Sequence, residues 1–197
     1  MSRRGLCLVL LLGAGLLASC GAESTRGGAR VRELHDGPGA VRPFTLEERR
    51  AGTVVGQETL SRVVTGDVTY SRSRVLAVDE TGYRSENTLF LEDMTPLLEP
   101  SERRAEFADE VAWSSYRPGS VTMETVTLTT ELGTFECWHL HTENEQGWTE
   151  DAWFAKDLPG RAILLETRTR SGTRLRRVER VKDSRVAAKP AATTTPK

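Results

Sequence analysis

From Thr53 onward the chain is patterned for β structure. Thr53 to Val64, Val68 to Val78 and Tyr83 to Leu91 are rich in β-branched and aromatic residues, which suit a pleated, half-buried surface. Gly66-Asp67 and Thr81-Gly82 separate them as hairpin turns would, and Gly56 predicts a bulge or bend in the first. Val75, Leu76, Ala77 and Val78 do not alternate with polar residues, which predicts a strand covered on both faces. After Met94-Thr95-Pro96 the period changes. Phe107 and Val111, and Ala108 and Ala112, recur at helical spacing among Arg103, Arg104, Glu106, Asp109 and Glu110. This predicts an amphipathic helix over about 100–115, with Ser101 as N-cap and Glu102 favourable to its dipole. Strand patterns then resume over 121–130, 134–142, 148–155, 162–170 and 174–181, with Leu132-Gly133, 144–147, Pro159-Gly160 and Ser171-Gly172 as turns. The fold class that follows is mainly β, a curved antiparallel sheet or half-barrel with one packed helix. A shorter helical turn, capped by Thr45, runs through Leu46 to Arg50 and stops at Gly52.

The N-terminal end has another pattern. Leu6 to Leu17 is an unbroken run of apolar or small residues behind Arg3 and Arg4. It is too short to cross a bilayer comfortably as a helix and is built like a signal peptide. Leu17-Ala18-Ser19-Cys20, directly after it, resembles a bacterial lipobox. That resemblance implies a diacylglyceryl thioether on Cys20, cleavage before it, and a further palmitate-type chain on the new amino terminus. Several acyl chains anchor a protein where one would not. Gly21 after the cysteine resembles the sorting pattern for the outer membrane, facing the periplasm, in a diderm host. The expected organisation is a signal peptide (1–19), a lipidated N-terminus and Gly/Pro-rich tether (20–43), one β-rich domain (44–182) and a disordered tail (183–197).

Composition narrows the chemistry. With 197 residues, 38% of them hydrophobic, the chain can build one core. Once Cys7 and Cys20 are assigned to the leader and the anchor, Cys137 is left alone. It cannot form an internal disulfide, and an unpaired thiol of this kind is expected to be buried and inert. A formal charge of −1 gives nucleic acid no reason to bind. There is no Gly-x-Ser-x-Gly elbow and no glycine-rich phosphate loop. No cofactor is expected.

Gly133 to Gly160 concentrates what chemistry there is: Trp138, Trp148, Trp153, Cys137, His139 and His141. Cys137, His139 and His141 alternate along one predicted strand, so they share a face about 6–7 Å apart. With Glu145 in the following loop they are the candidate metal ligands. Gly133, His139-x-His141 and Glu145 resemble the first motif of the cupin family. The pattern departs from that family at Ala152, where the closing glycine is missing, and in having no histidine after His141. Glu143, Glu145, Glu150 and Asp151 lack the order of a calcium loop and read as a solvated hairpin tip.

Gly133-Thr134-Phe135-Glu136-Cys137, then Trp153-Phe154-Ala155 and Asp157-Leu158-Pro159-Gly160, resemble a pattern of bacterial envelope proteins related in fold to the half-barrel lipoprotein carriers LolA and LolB. The resemblance implies a Gly-Thr-Phe-x-Cys strand paired with the Trp-aromatic-Ala strand. Phe135 and Cys137 would fill one face, Trp138 and Leu140 the other. The expectation is a non-enzymatic envelope lipoprotein, held to the membrane by its lipid, that binds lipid or another apolar ligand in the curved sheet. The alternatives are a metal-binding protein or enzyme centred on His139 and His141, and an assembly lipoprotein that binds another envelope protein.

Overall fold

A computed structural model describes residues 39–186. The leader, Cys20 and most of the expected tether and tail lie outside them. The described chain forms nine strands and two short helices. Helix α1 (Leu46–Ala51) is followed by β1 (Glu58–Thr65), β2 (Asp67–Val78), β3 (Gly82–Leu91) and β4 (Ser101–Glu106). Helix α2 (Phe107–Trp113) leads into β5 (Val121–Thr130), β6 (Gly133–Glu143), β7 (Thr149–Ala155), β8 (Leu164–Arg168) and β9 (Arg174–Asp183). The strands make one antiparallel sheet in the order β4-β3-β2-β1-β9-β8-β7-β6-β5. This is the mainly β, open curved sheet that the pattern predicts. No helix among the described residues is long and apolar enough to cross a membrane.

Two meanders, β1 to β4 and β5 to β9, are joined where β9 pairs with β1. Curvature is visible in the contacts that cross the sheet. Arg62 on β1 pairs at 3.1 Å with Glu131 in the β5–β6 turn, although β9, β8 and β7 lie between β1 and β6. A flat sheet would hold β1 and β6 about 19 Å apart, beyond the combined reach of an arginine and a glutamate. The helices lie against the opposite face. Phe107 packs on Val75 and Tyr83 of that face, while Phe44 and Tyr116 pack on Leu140, Ala152 and Phe154. A third cluster, Phe135, Cys137, Ala155, Leu158 and Ile163, fills the side away from the helices.

Several local expectations are corrected. Ser101–Glu106 is not the first turn of a helix. It is the edge strand β4, paired with β3 from Asn87↔Ser101 to Gly82↔Glu106. Sequence spacing cannot report that β3 would otherwise keep an unpaired edge, and its charged residues protect the new edge from further strand addition. The helix is therefore only Phe107–Trp113, with Glu106 at its N-cap position and no side-chain cap. The run Val75–Val78 fails to alternate because a register shift falls between Val75 and Ala77. The bulge brings Val78 back toward the Val75–Phe107 cluster. Residues 53–57 are turns rather than strand, with Gly56 at φ +83° and Val54 and Val55 exposed. Thr45 does cap α1, through a reciprocal capping box with Glu48.

Order extends past both expected ends of the domain. Val41 exchanges backbone hydrogen bonds with Tyr116. Asp183 is 2% exposed, and Arg185 bonds to it and to the carbonyls of Gly52 and Pro159. Residues 183–186 are thus tied to the sheet by ion pairs, an attachment that their low hydrophobicity hides in the sequence.

Candidate functional site

Strand β6 carries three of the four residues singled out as metal ligands, and the structure separates them. Cys137 is fully buried between Phe135 and Ala155. Burial, with Asp157 and Glu136 adding their charge, pushes its thiol up to about 11. A thiol so placed is a core residue and not a nucleophile or a ready ligand. Glu145 is exposed at the β6–β7 hairpin tip. His139 and His141 do come together, with partners from the adjacent strands. His139 Nε2 and His141 Nδ1 lie 2.9 and 2.8 Å from Asp151 Oδ1, and His139 Nδ1 lies 3.0 Å from Glu124 Oε1. The His139 ring stacks on Trp153 at 4.6 Å.

Asp151 is therefore not part of a solvated tip, and neither it nor Glu124 was legible as a histidine partner. Both follow from register: Glu124 stands opposite His139 and Asp151 opposite His141. The imidazoles are spent on carboxylates beside them. Among the described residues no group of three or more His, Cys, Asp or Glu is arranged to hold a metal ion.

The same face carries an ionic ladder across the middle of the sheet. Glu166 accepts from Arg168 and Arg177 at 2.5 Å each, and Glu179 from Arg62 and Arg177 at 2.9 and 3.0 Å. Burial raises the pKa of both carboxyls, and the surrounding arginines overcome it and hold both below the usual glutamate range. On this face the Phe135 cluster is packed and the centre of the sheet is ion-paired.

The helix-bearing face is different. Register aligns Leu91, Thr69, Val63, Val178, Leu165, Ala152, Leu140 and Met123 in one cross-strand row from β3 to β5. All but Thr69 are apolar. Ala152 and Leu140 lie beneath Phe44 and Tyr116. Val63, Val178 and Leu165 are only half-buried. Leu91 and Met123 end the row, each 41% exposed. At one strand spacing per step the row is about 34 Å long along the sheet.

Its β3 end is built outward. Leu97 N donates to Leu89 O and Leu91 N to Thr95 O, both at 2.8 Å. These bonds fold residues 92–98 back along β3, with Met94 at φ +65° in the turn. Leu89, Leu91, Met94, Leu97 and Leu98 are all exposed there. On the other side of β3, Phe90 is buried, with Arg72 over its ring. Five exposed large apolar side chains therefore fall within ten residues, a concentration of exposed apolar surface.

Solved structures to which the chain is similar include the following three proteins. One is a protein classed as exported, with a YmcC-like fold, from Bacteroides fragilis NCTC 9343 (10% identity, TM-score 0.45, covering 67% of this chain and 97% of that one). Another is a protein classed as a lipoprotein from Parabacteroides distasonis ATCC 8503 (9% identity, TM-score 0.43, 66% and 96%). The third is MucB (12% identity, TM-score 0.49), with 74% of this chain and 59% of MucB covered. No family model and no curated protein matches the sequence. The function proposed below therefore rests on the chain's own residues.

Proposed function

We propose that this protein is a non-enzymatic lipoprotein of the bacterial envelope, anchored through Cys20, that binds the acyl part of a lipid on its curved sheet. The observation that carries the reading is the apolar row on the helix-bearing face. Its middle, Val63, Val178 and Leu165, is half-buried, and its ends, Leu91 and Met123, are open. An extended hydrocarbon laid across the strands would cover residues that the protein's own helices leave uncovered. The lip at Leu89–Leu98 gives such a chain an apolar place to land. Cys137 is sealed on the other face.

The lipobox supplies the address. A chain lipidated at Cys20 is held at a membrane surface, where acyl chains are the abundant apolar ligand. Titration with a fluorescent fatty acid tests the reading. The wild-type chain is expected to bind it with saturation, and Leu91→Asp with Val63→Asn to weaken it at least tenfold while the melting temperature holds. Equal binding by both proteins would refute the row as the site.

A further inference from the structure

On the helix-bearing face, toward the opposite ends of the strands, a cavity of about 60 Å³ lies beneath α1 and the Pro159-Gly160 turn. Four arginines line it: Arg49, Arg161, Arg180 and Arg185. Among the described residues two carboxylates answer them directly. Glu110 pairs with Arg49 and Arg161, and Asp183 with Arg180 and Arg185. The cluster therefore keeps a surplus of about two positive charges. Arg49 and Arg180 are each 5% exposed. Among the described residues Arg49 donates to Glu110, and Arg180 to Asp183 and the Arg161 carbonyl, so neither uses all five N–H groups. Burial brings Arg180 down to about 10 despite Asp183, as expected of a buried cation that lacks full compensation.

The cavity is built for this crowding. A Cβ on Gly160 would sit 3.0 Å from Arg49 Nη1, so that guanidinium would have to give by a few tenths of an ångström, and in ordinary contact at 3.5 Å from Arg185 Nη2. Thr59 and Ser73, directly paired on β1 and β2, add two hydroxyls to the wall. The volume corresponds to about four water-sized atoms, close to the size of one tetrahedral oxyanion.

We propose that this cavity is a binding site for a phosphoryl group, either free phosphate or the phosphomonoester of a lipid headgroup. A dianion matches the surplus charge, and arginines recognise phosphate by paired, charge-assisted hydrogen bonds. Thr59 lies four residues from Val63 on β1, about 13 Å along the strand. A single phospholipid can span that distance, but the site does not depend on the apolar row.

The test uses the full chain, lipidated and as Cys20→Ser. Inorganic phosphate at 10 mM is expected to raise the melting temperature by several degrees over chloride at equal ionic strength. In a parallel arm, vesicles containing phosphatidic acid are compared with phosphatidylcholine alone for retention of the Cys20→Ser chain. Ser73→Asp puts a carboxylate into the cavity. It is expected to fold, to melt no lower than wild type, and to lose both responses, whereas Leu91→Asp keeps the phosphate response. A response to phosphate identifies the soluble source, and retention on phosphatidic acid alone the headgroup. No response in either arm, or responses that survive Ser73→Asp, would overturn the site.

Discussion

Cys137 shows how far the environment decides a residue's chemistry. Beside two histidines on the same face it looks like a nucleophile or ligand, yet Cys137 lies farther along β6 in the Phe135–Ile163 cluster while His139 and His141 meet Asp151. With its pKa raised by burial to about 11, almost no thiolate forms at neutral pH. In the Cys20→Ser chain at pH 8, iodoacetamide is expected to label Cys137 only after denaturant unfolds the domain. Rapid labelling of the folded chain would mean that the cluster opens. The histidines' partners were illegible for a plain reason. Glu124 and Asp151 stand 15 and 12 positions from His139, and only the register of two hairpins brings them to it. The four cavity arginines come from α1, β9, the turn before β8 and the segment after β9, so no local spacing announces them.

At the scale of elements, the strands from Val121 to Asp183 were legible because alternation and Gly turns agree there, with register as regular as that of β5 on β6. The segment Ser101–Glu106 was not. Its Ser101 cap and its charged residues read as the start and the polar face of α2, and its fate is decided by the open edge of β3, a long-range fact. The helices are tied to the sheet by Glu110. Burial pushes its pKa up, and Arg49 and Arg161 more than reverse this. Glu110 also accepts from the Tyr83 hydroxyl at 2.7 Å. Glu110→Gln strands Arg49, whose side chain is 6% exposed, at a cost of about 3–5 kcal/mol. For a domain of this size that is a fall in melting temperature on the order of 10 °C. A loss of 2 °C or less would show that the helices are held by their apolar contacts alone.

Over the whole molecule, buried carboxylates set the response to acid. Glu110, Glu166, Glu179 and Asp183 all titrate below their ordinary values because arginines outweigh the burial that pushes them up. A carboxyl depressed in the folded state contributes stability that is fully present above its unfolded pKa, about 3.9–4.3, and is lost as pH falls through the folded value. The melting temperature is therefore expected to vary little between pH 7 and 5 and to drop steeply below about pH 4. A drop centred near pH 6 would contradict this account. The two faces differ at their centres: one is crossed by the Glu166–Glu179 ion pairs, the other by an apolar row that ends at an exposed lip. That asymmetry is the basis for assigning the ligand to the helix-bearing face.

Native mass spectrometry of the full chain, isolated from membranes in mild detergent, tests that assignment most directly. The account predicts a non-covalent adduct of lipid mass, separate from the anchor, that is lost on denaturation and absent from the Leu91→Asp, Val63→Asn chain. A chain that carries no such adduct, or carries it equally with the row disrupted, would contradict it.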